Sequence, residues 1–129
     1  MMVAGIGIDV VNIARFEKAF KQHGDRFRDR IFTQKELDHA EEKKSFYMHM
    51  AGKFAAKEAV KKALPDGARI GLSWTDIEIL NDSDGKPYTV LHGEAKKLME
   101  ENDLAQVLVS ISHTNDVAVS NGMAVKNGA

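Results

Sequence analysis

Two carboxylates stand where packing alone does not ask for charge. Asp9 closes the run Gly5-Ile6-Gly7-Ile8-Asp9, and Glu58 sits inside Phe54-Ala55-Ala56-Lys57-Glu58-Ala59, with Lys62-Ala63 one turn on. At about 100° per residue, Ala51, Ala55, Ala59 and Ala63 form one narrow helical stripe, and Glu58 and Lys62 project into the same sector. A helix that packs through alanine and still carries charge there must compensate the desolvation. Mg²⁺ takes one or two carboxylates, keeps several waters and completes its shell with phosphate oxygens. Asp9 and Glu58 are therefore candidate ligands for it. The plain alternatives are a turn aspartate ending a tightly packed strand and an i,i+4 pair between Glu58 and Lys62. Gly5 and Gly7 lack the third glycine of a dinucleotide fingerprint; their use is to let a backbone or a ligand come close.

Lys53, Lys57 and Lys61 recur every fourth residue, a row that repels itself unless it meets an anion. It reads either as a solvated face or as a set of point charges for a multiply charged phosphate ligand, with Met50 and Phe54 flanking an apolar or aromatic moiety. Ser110-Ile111-Ser112-His113-Thr114 ends a strand-like stretch. A serine hydrolase pairing there fails because adjacent strand residues point to opposite faces. His113 is then either a structural histidine or, with Thr114, a ligand contact.

The elements that must hold these groups follow from periodicity. Met2 to Val11 reads as a buried strand that reaches Asn12, an N-cap, and Ile13, Phe16 and Phe20 continue as a helix stopped by Gly24. Thr33-Gln34-Lys35-Glu36 is a capping box opening a second helix. The longest helix runs from about Ser45 to Leu64 and is closed by Pro65-Asp66-Gly67. Ile77 to Ile79 and Tyr88 to Leu91 form a hairpin about Asp84-Gly85, and a short helix spans about Glu94 to Glu101. Gln106 to Ser112 and Val117 to Val125 are strands joined by a polar turn, and Lys126 to Ala129 read as a frayed tail. The result is an α+β fold with a mainly antiparallel sheet on one long and several short helices.

The length of 129 residues and the hydrophobic share of 43% suit one domain, 1–129, with a real core. A net charge of −1 argues against general affinity for nucleic acid or membrane. The absence of cysteine excludes disulfides, thiolate zinc sites and cysteine nucleophiles, and fits a cytoplasmic protein. The apolar opening lacks a basic leader, is interrupted by Asp9 and is too short to span a bilayer, so no targeting segment is expected. Within residues 15–30, Arg15, Lys18, Lys21, Arg26, Arg28 and Arg30 face Glu17, Asp25 and Asp29, an excess of three positive charges. This is either an ordinary mixed surface or a docking face for an acidic partner.

Taken in order, Gly5-Ile6-Gly7-Ile8-Asp9 with Arg15, Arg26-Phe27 with Arg30-Ile31, Phe54-Ala55-Ala56-Lys57-Glu58-Ala59 with Lys62-Ala63, Gly85-Lys86-Pro87, and Ser110-Ile111-Ser112-His113-Thr114 cover nearly the whole chain. The set resembles the holo-acyl-carrier-protein synthase family, the small bacterial 4'-phosphopantetheinyl transferases. The resemblance implies transfer of 4'-phosphopantetheine from coenzyme A to a serine of apo acyl carrier protein, with release of adenosine 3',5'-bisphosphate, for fatty acid biosynthesis. It implies a homotrimer with active sites between subunits. It also implies Asp9 and Glu58 as ligands of a Mg²⁺ on the coenzyme A pyrophosphate, and Lys62 as the group that stabilises or protonates the departing bisphosphate. Glu58, directly or through a metal-bound water, would take the serine proton. The lysines Lys53, Lys57 and Lys61 would meet the phosphates, and Pro87, His113 and Thr114 would lie near the nucleotide. Arg15, Arg26 and Arg30 match the docking positions for the acidic carrier protein. Ribonuclease-H-like and actin-like folds also place Gly-Ile-Asp at a strand end, but need more α/β alternation and more acidic residues. A non-catalytic module for coenzyme A or a nucleotide would leave the paired carboxylates without a purpose.

Overall fold

A strand whose polar and small residues face the protein and whose large apolar residues face outward begins the chain. In the computed structural model, which describes residues 2–41 and 45–128, β1 spans Val3–Asn12, with Gly5, Gly7 and Asp9 turned inward and Ile6, Ile8 and Val10 at 70%, 63% and 60% exposure. The expected buried strand is thus covered on one side only. Asn12 Oδ1 accepts the backbone N–H of Arg15 at 2.9 Å and caps α1, Ile13–Ile31. Gly24, at φ 60°, leaves helical geometry where the sequence places the stop, and α1 is kinked there into two helical stretches. Beyond the kink Phe27 and Ile31 pack with Phe16 and Phe20, which holds a second helical stretch, up to Ile31, that the sequence reading left out. Thr33 and Glu36 form the expected reciprocal cap at the start of α2, Gln34–Glu41.

The helix α3, Phe46–Ala63, matches the predicted long element. A short helix α4, Gly67–Ile70, and a 3-10 turn, Trp74–Asp76, fill the stretch before the hairpin; neither has a periodic signal in the sequence. The hairpin is β2, Ile77–Asn81, with β3, Pro87–Leu91, and α5, Gly93–Glu101, follows. Strands β4, Leu104–His113, and β5, Val117–Lys126, complete a three-stranded antiparallel sheet in the order β1-β5-β4, separate from the β2-β3 pair. Lys126 and Asn127 are not frayed: Lys126 N–H donates to the Met2 carbonyl, and Asn127 bonds Asp103 through backbone and side chain. Ala129 lies outside the described residues.

The alanine stripe of α3 lies against this sheet. A Cβ on Gly5 would collide with the Ala63 carbonyl, and one on Gly7 with the Ala59 carbonyl, while one on Gly122 would come within 3.1 Å of Ala59. Glycine on the strands and alanine on the helix let the two backbones approach, which sets Glu58 over the end of β1. One core gathers Val60, Leu64, Ile77, Ile79 and Val107 around α3, and a second gathers Phe16, Phe20, Phe32 and Met50 beneath α1.

Candidate active site

Asp9 leaves the sheet opposite Ser120 of β5, and Glu58 descends from the middle of α3. Both line one cavity of about 440 Å³, shared with Arg15, Phe16, Phe27 and Phe54. Burial pushes the Asp9 carboxyl above its ordinary range; a hydrogen bond and the charge of Lys62 pull it back, and the charge of Glu58 pushes it further up. The repulsion between the two carboxylates is what a divalent cation placed with both would reverse. Among the described residues no three acidic, histidine or cysteine side chains form a metal cluster. A donor set of two carboxylates suits a hard cation that retains waters and takes phosphate oxygens, so the residues present fit Mg²⁺.

Each carboxylate is oriented by its own donor. Lys62 Nζ donates to Asp9 Oδ1 at 3.2 Å and to the Ile8 carbonyl at 2.9 Å. The Trp74 indole N–H donates to Glu58 Oε1 at 2.5 Å. The helical pair between Glu58 and Lys62 does not form. Trp74 carries no helical or strand pattern, and its role is set by reach across space, so sequence reasoning missed it.

The lysine row does not face one ligand. Lys57 is fully buried and pairs with Glu36 Oε1 at 2.8 Å, while its remaining protons go to the carbonyls of Trp74 at 3.0 Å and Ile77 at 2.5 Å. Glu36 Oε2 accepts the Ile79 N–H, so the capping-box glutamate also anchors β2. Lys53 donates to the Ile79 carbonyl, and Lys61 lies over the Trp74 ring at 5.3 Å. Desolvation lowers the Lys53 and Lys57 ammonium pKa values, against the charge of Glu36. β2 and the 3-10 turn cover the helix face that the sequence leaves open, and their carbonyls take one ammonium proton of Lys53 and two of Lys57. Met50 likewise belongs to the core, and Phe54 packs between Phe16 and Trp74.

Lys53, Pro87 and His113 do meet, around a second cavity of about 170 Å³ with Met48, His49 and Gly85. Lys57, Lys61 and Thr114 do not line it. Thr114 is instead held in its turn, where its hydroxyl accepts the N–H groups of Asp116 and Val117. Of the arginines, Arg15 lines the carboxylate cavity, and Arg26 and Arg30 line a neighbouring hollow of about 350 Å³ with His23 and Phe27. Phe27 borders both, so the basic rim continues into the acidic site. Arg28 is paired with Asp25 and Asp29, whereas no salt bridge engages Arg15, Arg26 or Arg30 among the described residues.

A family model described as the 4'-phosphopantetheinyl transferase superfamily matches residues 5–119, a span that includes Asp9, Glu58, Lys62 and His113. The chain belongs to this superfamily. Its relatives within it are holo-acyl-carrier-protein synthases: it is 47% identical over 124 residues to the holo-[acyl-carrier-protein] synthase of Alkaliphilus oremlandii, over 96% of this chain and 100% of that one. Its fold is similar to that of the holo-[acyl-carrier-protein] synthase from Neisseria meningitidis, with a TM-score of 0.87, 34% identity and coverage of 97% and 100% of the two chains. It is also similar to the Helicobacter pylori enzyme in complex with coenzyme A, with a TM-score of 0.80, 34% identity and coverage of 92% and 98%.

Proposed function

We propose that this protein transfers the 4'-phosphopantetheine arm of coenzyme A to a serine hydroxyl of apo acyl carrier protein. The serine oxygen forms a bond to the β-phosphorus, the bond to adenosine 3',5'-bisphosphate breaks, and the serine proton passes to a base. The observation that carries this reading is the convergence of Asp9 and Glu58 in one cavity rimmed by Arg15. Asp9 and Glu58 would hold Mg²⁺, which when bound neutralises charge on the pyrophosphate oxygens as the bond breaks. Lys62 keeps Asp9 oriented with one ammonium proton, gives a second to Ile8, and has a third for an oxygen of the departing bisphosphate. Glu58 is the group in the cavity suited to take the serine proton.

Arg15, Arg26 and Arg30 would steer the acidic carrier protein toward the carboxylates. Lys53, Pro87 and His113 would meet the nucleotide end of coenzyme A. Within one chain, their cavity and that of the carboxylates share no lining residue. A homotrimer whose cleft joins one cavity to the other in a neighbouring copy reconciles the two. The uncovered row Ile6, Met123 and Leu108 across β1, β5 and β4 supports an interface of that kind. On the same reading the product serves fatty acid biosynthesis in the cytoplasm.

The test is direct. Incubated with Mg²⁺, coenzyme A and apo carrier protein, the enzyme should add one phosphopantetheine mass to the carrier by intact mass spectrometry. Asp9→Ala and Glu58→Ala should abolish the Mg²⁺-dependent shift while remaining folded. Near-normal turnover by either variant would contradict the assignment.

A further inference from the structure

Glu58 and Lys62 lie one turn apart on α3 in the order that favours an ion pair, glutamate first. They do not pair. Lys62 is drawn to Asp9 and the Ile8 carbonyl, and Glu58 to the indole of Trp74. An indole N–H has one proton to give and no charge, so it can fix a carboxylate without neutralising it. An ammonium in the same place would compete with any cation for that charge.

Trp74 is itself fixed from several sides. Its carbonyl accepts Lys57 Nζ, which the fully buried Glu36 holds at 2.8 Å. Its ring packs on Phe54 at 6.0 Å, with the Lys61 ammonium at 5.3 Å and the Arg30 guanidinium at 5.7 Å from its centroid. The buried ion pair, the 3-10 turn and the indole thus form one chain of contacts ending on Glu58 Oε1, and among the described residues Oε2 has no hydrogen bond. We infer that Trp74 is a positioning residue: its N–H holds the Glu58 carboxylate away from Lys62, with one oxygen left for a divalent cation. This rests on the reading of Asp9 and Glu58 as the metal pair. It also accounts for Lys57 and Lys61, which serve the site through Trp74 rather than by touching phosphate.

The test uses Mn²⁺ alone as the probe, with binding to the full chain followed by the loss of the free-ion electron paramagnetic resonance signal. Trp74→Phe keeps an aromatic ring against Phe54 and removes the donor; its Mn²⁺ affinity should fall about 10–100-fold, the range for loss of a group that orients a metal ligand. The Mg²⁺ concentration for half-maximal transfer should rise in step, while the limiting rate falls by less. Unchanged Mn²⁺ affinity in folded Trp74→Phe would overturn the inference alone. Glu58→Gln should bind no Mn²⁺, and wild-type affinity there would overturn the metal reading itself. A second readout needs no variant at position 74. Trp74 is the sole tryptophan, so Mg²⁺ titrated into the wild-type protein should change its fluorescence emission, and Glu58→Gln should abolish the change. Emission that stays constant through saturating Mg²⁺ would overturn the inference.

Discussion

Asp9 is held under opposing influences. Burial and the nearby Glu58 charge disfavour its ionised form, and Lys62 only partly offsets them, so its pKa lies above the ordinary 3.8. Between the unfolded and the folded value the native state binds more protons than the unfolded chain, and stability declines as pH rises through that window. Above it, ionised Asp9 is a standing cost that a bound cation removes. In chelator at neutral pH, Asp9→Asn should therefore have a higher Tm than the wild-type protein, and the difference should vanish below about pH 4. Mg²⁺ should raise the Tm of the wild-type protein and leave that of Asp9→Asn unmoved; a lower Tm for the variant in chelator would contradict the electrostatic account. The two carboxylates were legible in the sequence because charge inside an alanine stripe and at a Gly-x-Gly strand end breaks the local pattern. Trp74 was not, because nothing in its neighbours' spacing shows where an indole will reach.

At the scale of elements, the buried pair Glu36–Lys57 ties α2 to α3 and both to β2. Removing one member leaves an unpaired charge in the core. Lys57→Met should cost about 3–5 kcal/mol in urea denaturation, and adding Glu36→Leu should recover part of that loss. A cost below about 1 kcal/mol would mean that the pair is solvated. The strands, the capping box and the long helix could be read from periodicity and turn chemistry alone. The lysine row could not, since helical spacing gives the direction of each side chain and not what comes to cover it. Lys53 and Lys57 point toward carbonyls of β2 and the 3-10 turn, two segments distant in sequence. The stop at Gly24 is where α1 kinks; the helical stretch beyond it was not legible for a related reason, since Phe27 and Ile31 are held by tertiary packing with Phe16 and Phe20.

At the scale of the whole molecule, the sheet β1-β5-β4 is finished on its α3 side and bare on the other, where Ile6, Ile8 and Val10 stand exposed. Ordinary strand patterning would bury such residues against the chain's own helix, but glycine and Asp9 occupy that side instead. On the reading of a trimer with shared clefts, Ile8→Glu should convert a species of three chain masses in light scattering into monomers and reduce transfer by at least an order of magnitude, since both cavities must meet. A monomeric wild-type protein with full activity would exclude the shared cleft.

The grip of one cation by the end of β1 and the middle of α3 is tested most directly by anomalous scattering from crystals of the protein with Mn²⁺ and coenzyme A. The expected result is a single strong peak at metal–ligand distance, about 2.0–2.2 Å, from carboxylate oxygens of both Asp9 and Glu58. A fully occupied metal elsewhere, with those two carboxylates uncoordinated, would contradict it.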